Sequence, residues 1–138
     1  MTILLLVMGL MLALGAGVAL AGVGSVFVGT SQNDRLLGTR GDDNINALQG
    51  DDFVNARGGD DVVDGGANHD RLQGWTGNDR LIGGTGQDVL LGGFGNDIID
   101  ARDNGGQDDI NCGPGRDTLL ADAADRDIAL TSCERVLR

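Results

Sequence analysis

The sequence predicts an all-β solenoid, stacked from short repeated units behind an apolar N-terminal segment. Two observations predict it. Aspartate recurs every nine residues at Asp34, Asp43, Asp52, Asp61, Asp70, Asp79, Asp88 and Asp97, then after a two-residue insertion at Asp108 and Asp117. Two residues beyond each stands an aliphatic side chain: Leu36, Ile45, Val54, Val63, Leu72, Leu81, Leu90, Ile99, Ile110 and Leu119. Glycine precedes most of these aspartates by two positions, with Gln32 and Asn68 as the departures. A period held by carboxylate and aliphatic alike marks an internal repeat, and units this small bury their apolar faces only against neighbours.

Each unit reads Gly-Gly-x-Gly-x-Asp-x-aliphatic-x, complete in residues 83–91 and 92–100. The first six positions are mostly turn formers, because glycine reaches positive φ without a Cβ in the way. Only the last three have strand character. Alternation of period two then sends the eighth-position aliphatic one way and its neighbours the other. One large apolar side chain per unit makes no core alone. Successive coils stack these side chains into continuous inner columns.

With two units per coil, aspartates on one edge lie one strand spacing apart, ~4.8 Å. Two bare carboxylates at that distance repel by about 0.9 kcal/mol in water, and several-fold more at an effective dielectric of about 20. A ladder of five on each edge therefore calls for counter-charge. Carboxylate and main-chain oxygens are hard ligands, and flexible loops suit Ca²⁺ better than octahedral Mg²⁺. Residue chemistry alone points to several calcium ions.

The nonapeptide also resembles the RTX, or haemolysin-type, calcium-binding repeat. The resemblance covers residues 29–120. It implies a right-handed parallel β-roll with each calcium held between loops of adjacent coils, by aspartate side chains and loop carbonyls. All ten register aspartates are then candidate metal ligands: Asp34, Asp43, Asp52, Asp61, Asp70, Asp79, Asp88, Asp97, Asp108 and Asp117. Asp34 fits the pattern less well because Thr30 and Gln32 replace loop glycines, and Asp70 because of Asn68. The insertion at Ala101–Arg102 disturbs the spacing before Asp108.

The expected organisation is a signal peptide or membrane anchor at 1–21, a short linker at 22–28, the roll at 29–120 and a C-terminal cap at 121–138. Residues 1–33 carry no charged side chain, and Ile3–Leu20 is long enough to span a membrane as a helix. Ala19-Leu20-Ala21 offers a small-x-small cleavage site, although the Lys or Arg that ordinarily opens a secretory signal is missing. A cleaved signal, a retained anchor and a self-associating helix all remain open. Cys112 and Cys133 suit a disulfide in an exported protein, one that closes about twenty residues and contributes ~3 kcal/mol. Ile128 continues the aliphatic register with Arg126 at the carboxylate position, which reads as a capping rung.

The net charge of −11 comes from 20 Asp and one Glu against 10 Arg, with no Lys. That balance excludes a basic nucleic-acid surface. It also predicts an expanded chain when calcium is absent. Catalysis lacks its parts. Ser25, Ser31 and Ser132 are in no Gly-x-Ser-x-Gly setting, His69 is the only histidine, and no Lys exists for a phosphate loop. Ten like aspartates are a repeat, not a catalytic pair, so the expectation is a binding and structural protein rather than an enzyme. Asp42, Asp51 and Asp60 precede register aspartates and read as a solvated acidic edge, with extra cation capture as the alternative. Phe53, Trp75 and Phe94 read as outer-face packing, with stacking on a sugar or partner as the alternative. The expected location is secreted or cell-surface. Beyond calcium, the partners open to the chain are its own copies, envelope or matrix material, and a membrane if the N-terminal segment is retained.

Overall fold

Three residues in nine have strand composition, and strands form there. The computed structural model describes residues 24–102, 106–122 and 132–138. Its strands are β1 (Val26–Val28), β2 (Arg35–Leu37), β3 (Asn44–Asn46), β4 (Phe53–Asn55), β5 (Val62–Ala67) and β6 (Arg71–Thr76). There follow β7 (Arg80–Thr85), β8 (Val89–Phe94), β9 (Ile98–Ala101), β10 (Asp109–Asn111), β11 (Thr118–Ala121) and β12 (Arg135–Leu137). No helix occurs among the described residues. The apolar segment at 1–21 and the capping rung at Ile128 lie outside them.

Consecutive strands from β1 to β11 alternate between two sheets, one ordered β1-β3-β5-β7-β9-β11-β12 and the other β10-β8-β6-β4-β2. Every pairing is parallel, and partners stand two repeat units apart: Val63 beside Leu81, Leu72 beside Leu90, Leu81 beside Ile99. The two-residue insertion widens the interval to twenty at Leu90 with Ile110 and Ile99 with Leu119, without shifting the register. β5 to β8 run to six residues, because the turn backbones also pair, Gly66 with Gly84 and Trp75 with Gly93.

The core lies between the sheets. Ile45, Val54, Val63, Leu72, Leu81, Leu90, Ile99, Ile110 and Leu119 are buried in it, while Leu36 is half-buried because β2 is an edge strand. A second inner column comes from the first loop position. Ala47, Ala56, Ala101, Cys112 and Ala121 fill it where glycine does not. Sequence periodicity assigned that position to the turn alone. It faces inward and accepts only small side chains.

The repeat spacing predicts about five coils over residues 29–120. Twelve strands at two per coil make about six. β1 lies where the linker at 22–28 was expected, with Phe27 at the aliphatic position and Ser25 in place of aspartate. β12 pairs beside β11, with Val136 opposite Leu119. Cys112 and Cys133 are bonded, with Cα atoms 5.3 Å apart, and Gly113 N–H donates to Ser132 Oγ at 3.1 Å.

Two outcomes follow from this packing. Leu81→Ala empties part of an inner column and lowers the unfolding free energy of the calcium-loaded protein by about 2–5 kcal/mol. Val62→Ala, on the outer face, changes it by about 0.5 kcal/mol or less. Chemical denaturation of both variants checks the contrast. Reducing the disulfide lowers stability by ~3 kcal/mol, read in the same assay with and without reductant.

Candidate metal centre

Each register aspartate follows a turn that points its carboxylate along the stack. From Asp43 onward, its Oδ1 accepts the backbone N–H of the residue one coil earlier in the same register. Asp34 N–H donates to Asp52 and Asp43 N–H to Asp61, both at 2.7 Å. Asp52 to Asp70, Asp61 to Asp79, Asp70 to Asp88, Asp79 to Asp97 and Asp88 to Asp108 follow at 2.9 Å, and Asp97 to Asp117 at 2.8 Å. Ser25 N–H donates to Asp43 at one end, and Glu134 Oε2 accepts from Asp117 N–H at the other. Two ladders result, one along each edge of the solenoid.

The second oxygen is the informative one. In Asp52, Asp61, Asp70, Asp79, Asp97 and Asp117 the Oδ2 atom is buried and has no hydrogen-bond partner. A buried polar atom left so costs about 1–3 kcal/mol, and more when charged. The first loop glycine explains what space it faces. A Cβ placed on Gly65 meets both Asp70 Oδ2 and Gly83 O at 2.6 Å. A Cβ on Gly74 meets Asp79 Oδ2 and, at 2.6 Å, Gly92 O. At Gly65 and Gly74, then, a carboxylate oxygen and a carbonyl oxygen of the next coil converge on one point.

Among the described residues no three His, Cys, Asp or Glu side chains converge on one point. A cation here must draw on main-chain carbonyls, which hard cations accept and thiophilic metals do not. The donor set fits calcium.

The RTX calcium-binding nonapeptide repeat matches residues 28–63, 64–99 and 73–106, so that its span exceeds half the chain. The protein belongs to this repeat family. No curated protein and no solved structure matches it.

Within this RTX stack the metal-free carboxyls are strained electrostatically. Burial pushes Asp61 and Asp70 up to about 7, and Asp79 and Asp97 up to about 6. The donated backbone N–H opposes the rise, and carboxylates in neighbouring coils add to it. Asp52 and Asp117 are raised for the same leading reason. Asp100 goes the other way: it is held down by a hydrogen-bonded ion pair with Arg102, at 2.7 Å, and takes no part in the ladders.

All ten predicted aspartates are in register. Asp108 keeps its place despite the insertion, buried and bonded to Asp88 N–H. Asp34 and Asp43 differ from the rest. Thr30 donates its N–H and hydroxyl to Asp34 Oδ2, at 2.5 and 2.9 Å. Thr39 donates its N–H to Asp43 Oδ2 at 2.6 Å and its hydroxyl to Oδ1 at 3.0 Å.

Asp42, Asp51 and Asp60 do more than solvate an edge. Their Oδ1 atoms accept N–H from the next coil: Asp60 N–H to Asp42 at 2.8 Å, His69 N–H to Asp51 at 3.1 Å and Asn78 N–H to Asp60 at 2.7 Å. Asn33, Asn78, Asn96 and His69 Nδ1 play the same part for Asp51, Asn96, Arg116 and Gln87. This outer ladder runs opposite in sense to the inner one. The recurrence of Asn and Asp just before the register aspartate was its sequence signal. Phe53 packs under the Arg35 guanidinium, 4.5 Å from the ring centre, as outer-face packing. Trp75 and Phe94 lie exposed at the C-terminal ends of β6 and β8 instead.

The pH dependence has a definite sign. Folded-state carboxyls titrate above the ordinary 3.8, so the native state binds more protons than the unfolded chain between the two values. The stability that protonation contributes is present in acid and is lost as pH rises towards 7. Metal-stripped protein therefore holds more structure at about pH 5 than at about pH 7.5 by circular dichroism. A gain of structure over that rise would contradict the electrostatics.

Proposed function

We propose that the protein is an exported calcium-binding structural module whose RTX roll forms when calcium enters the loops. The observation that carries this reading is the row of buried Oδ2 atoms without partners, those of Asp70, Asp79 and Asp97 lying beside a carbonyl of the adjacent coil. The ligands are the register aspartates, one carboxylate oxygen each, joined by loop carbonyls. Calcium satisfies those oxygens and cancels the repulsion between coils. The core contributes one large side chain per unit, and scaffolds this lean depend on a staple. RTX repeat proteins are generally exported, and the disulfide is at home outside the cytoplasm. Extracellular calcium then acts as the folding signal, with affinity of about 10⁻⁴–10⁻³ M.

The role is binding and structure rather than catalysis. The buried polar positions repeat coil after coil, whereas a catalytic constellation is singular. The attachment partner is envelope or matrix material, or another copy of the chain.

Calcium titration of the metal-stripped chain tests the reading, with far-UV circular dichroism reporting the fold and Trp75, the only tryptophan, reporting the Asp79 loop. Asp79→Asn keeps the Oδ1 acceptor and removes the Oδ2 ligand, so it weakens calcium binding by about tenfold or more, the loss of a charged contact worth ~1.5–3 kcal/mol. Asp60→Asn preserves its outer-ladder bond and changes calcium binding by less than about threefold, as a solvent-exposed charge does. Equal effects would mean the acidic edges act only as diffuse charge. Identical spectra with and without chelator would overturn calcium-driven folding.

A further inference from the structure

The loops divide into two kinds at their second position. In the loops before Asp52, Asp61 and Asp79 that position holds Leu48, Arg57 and Trp75, each at φ 79°. Its glycines in later loops are likewise left-handed, Gly66 at 100°, Gly84 at 96° and Gly93 at 113°. Large side chains adopt such backbone only at a cost of order 1 kcal/mol. That three of them do so shows that the open loop requires it.

Thr30 and Thr39 hold the same position before Asp34 and Asp43, and neither has positive φ. A β-branched side chain disfavours the left-handed region strongly. Each threonine keeps an ordinary φ, which turns its N–H onto the following carboxylate, and its hydroxyl adds a second bond. Thr39 Oγ1 also accepts Gly41 N–H at 3.0 Å, and Thr30 Oγ1 accepts Gln32 N–H at 3.1 Å, so each turn closes on itself. The oxygen that stays without a partner in the later loops is here already satisfied. First-position geometry is not the difference: a Cβ on Gly29 or Gly38 meets the Asp34 or Asp43 Oδ2 at 2.9 or 2.8 Å, as at the later glycines.

We infer that Thr30 and Thr39 close the first two loops to calcium, so that the ion-binding ladders begin at Asp52 and Asp61 and the first coil is held by protein hydrogen bonds alone. This rests on the calcium reading above and removes Asp34 and Asp43 from the ligand set. Threonine does there, without metal, what calcium does further along. The N-terminal coil becomes a metal-independent end against which calcium-filled coils stack.

Equilibrium dialysis of the full chain against calcium, with bound ions counted per folded protein, tests it. Asp43→Asn and Asp34→Asn bind the same number of ions as the unsubstituted chain, whereas Asp79→Asn binds fewer. Asp43→Asn also lowers thermal stability by the same amount at every calcium concentration, because it disturbs a bond calcium does not use. Thr39→Gly, which permits the left-handed turn, binds one ion more. Loss of an ion in Asp43→Asn or Asp34→Asn overturns the inference while leaving the calcium reading intact. Should Thr39→Gly fail to fold, the two aspartate variants still decide it. A chain that binds no calcium at all brings down both.

Discussion

One hydrogen bond organises this molecule: the carboxylate of each register aspartate accepting the backbone N–H of its counterpart one coil earlier. It fixes the pitch between coils, satisfies a donor inside a turn and aims the remaining oxygen into the gap between loops. The same bond forces carboxylates to lie one strand spacing apart and out of solvent. Their upward-shifted pKa values, about 7 at Asp61 and Asp70, express that conflict. A fold that stacks its acids in this way must neutralise them, by protons or by a cation.

Much of this was legible in the sequence because the period is strict. The register of Asp and aliphatic residues placed the strands, their inward side chains and both carboxylate ladders, and it survived the insertion before Asp108. What escaped has physical causes. Ser25 and Phe27 at one end, and Glu134 and Val136 at the other, preserve the roles of the repeat with different side chains, so the extra strands β1 and β12 were hidden from a residue match. The inward direction of the first loop position was masked by glycine, whose missing side chain reveals no facing. The outer ladder was hidden because Asn, Asp and His supply the same acceptor from unlike residues.

The threonines set two register positions apart from the rest. Asp43 has the spacing, the burial and the upstream Gly38 and Gly41 of its counterparts, yet its carboxylate is occupied by Thr39. Thr39 bonds the Asp43 carboxylate, whereas in the loops with left-handed Leu48, Arg57 and Trp75 the Oδ2 of Asp52, Asp61 and Asp79 has no hydrogen-bond partner. The two ends of the stack are secured in different ways, by threonine turns at the start and by the Cys112–Cys133 bond with Ser132 at the finish.

The central claim, that calcium is taken up as the fold forms, is tested most directly by the dependence of unfolding free energy on calcium concentration at neutral pH. Each ion bound only by the native state adds about 1.4 kcal/mol per tenfold rise in calcium above its dissociation constant. The account predicts a slope several times that value, with the order of one ion for each loop from Asp52 onward. A slope indistinguishable from zero would contradict it.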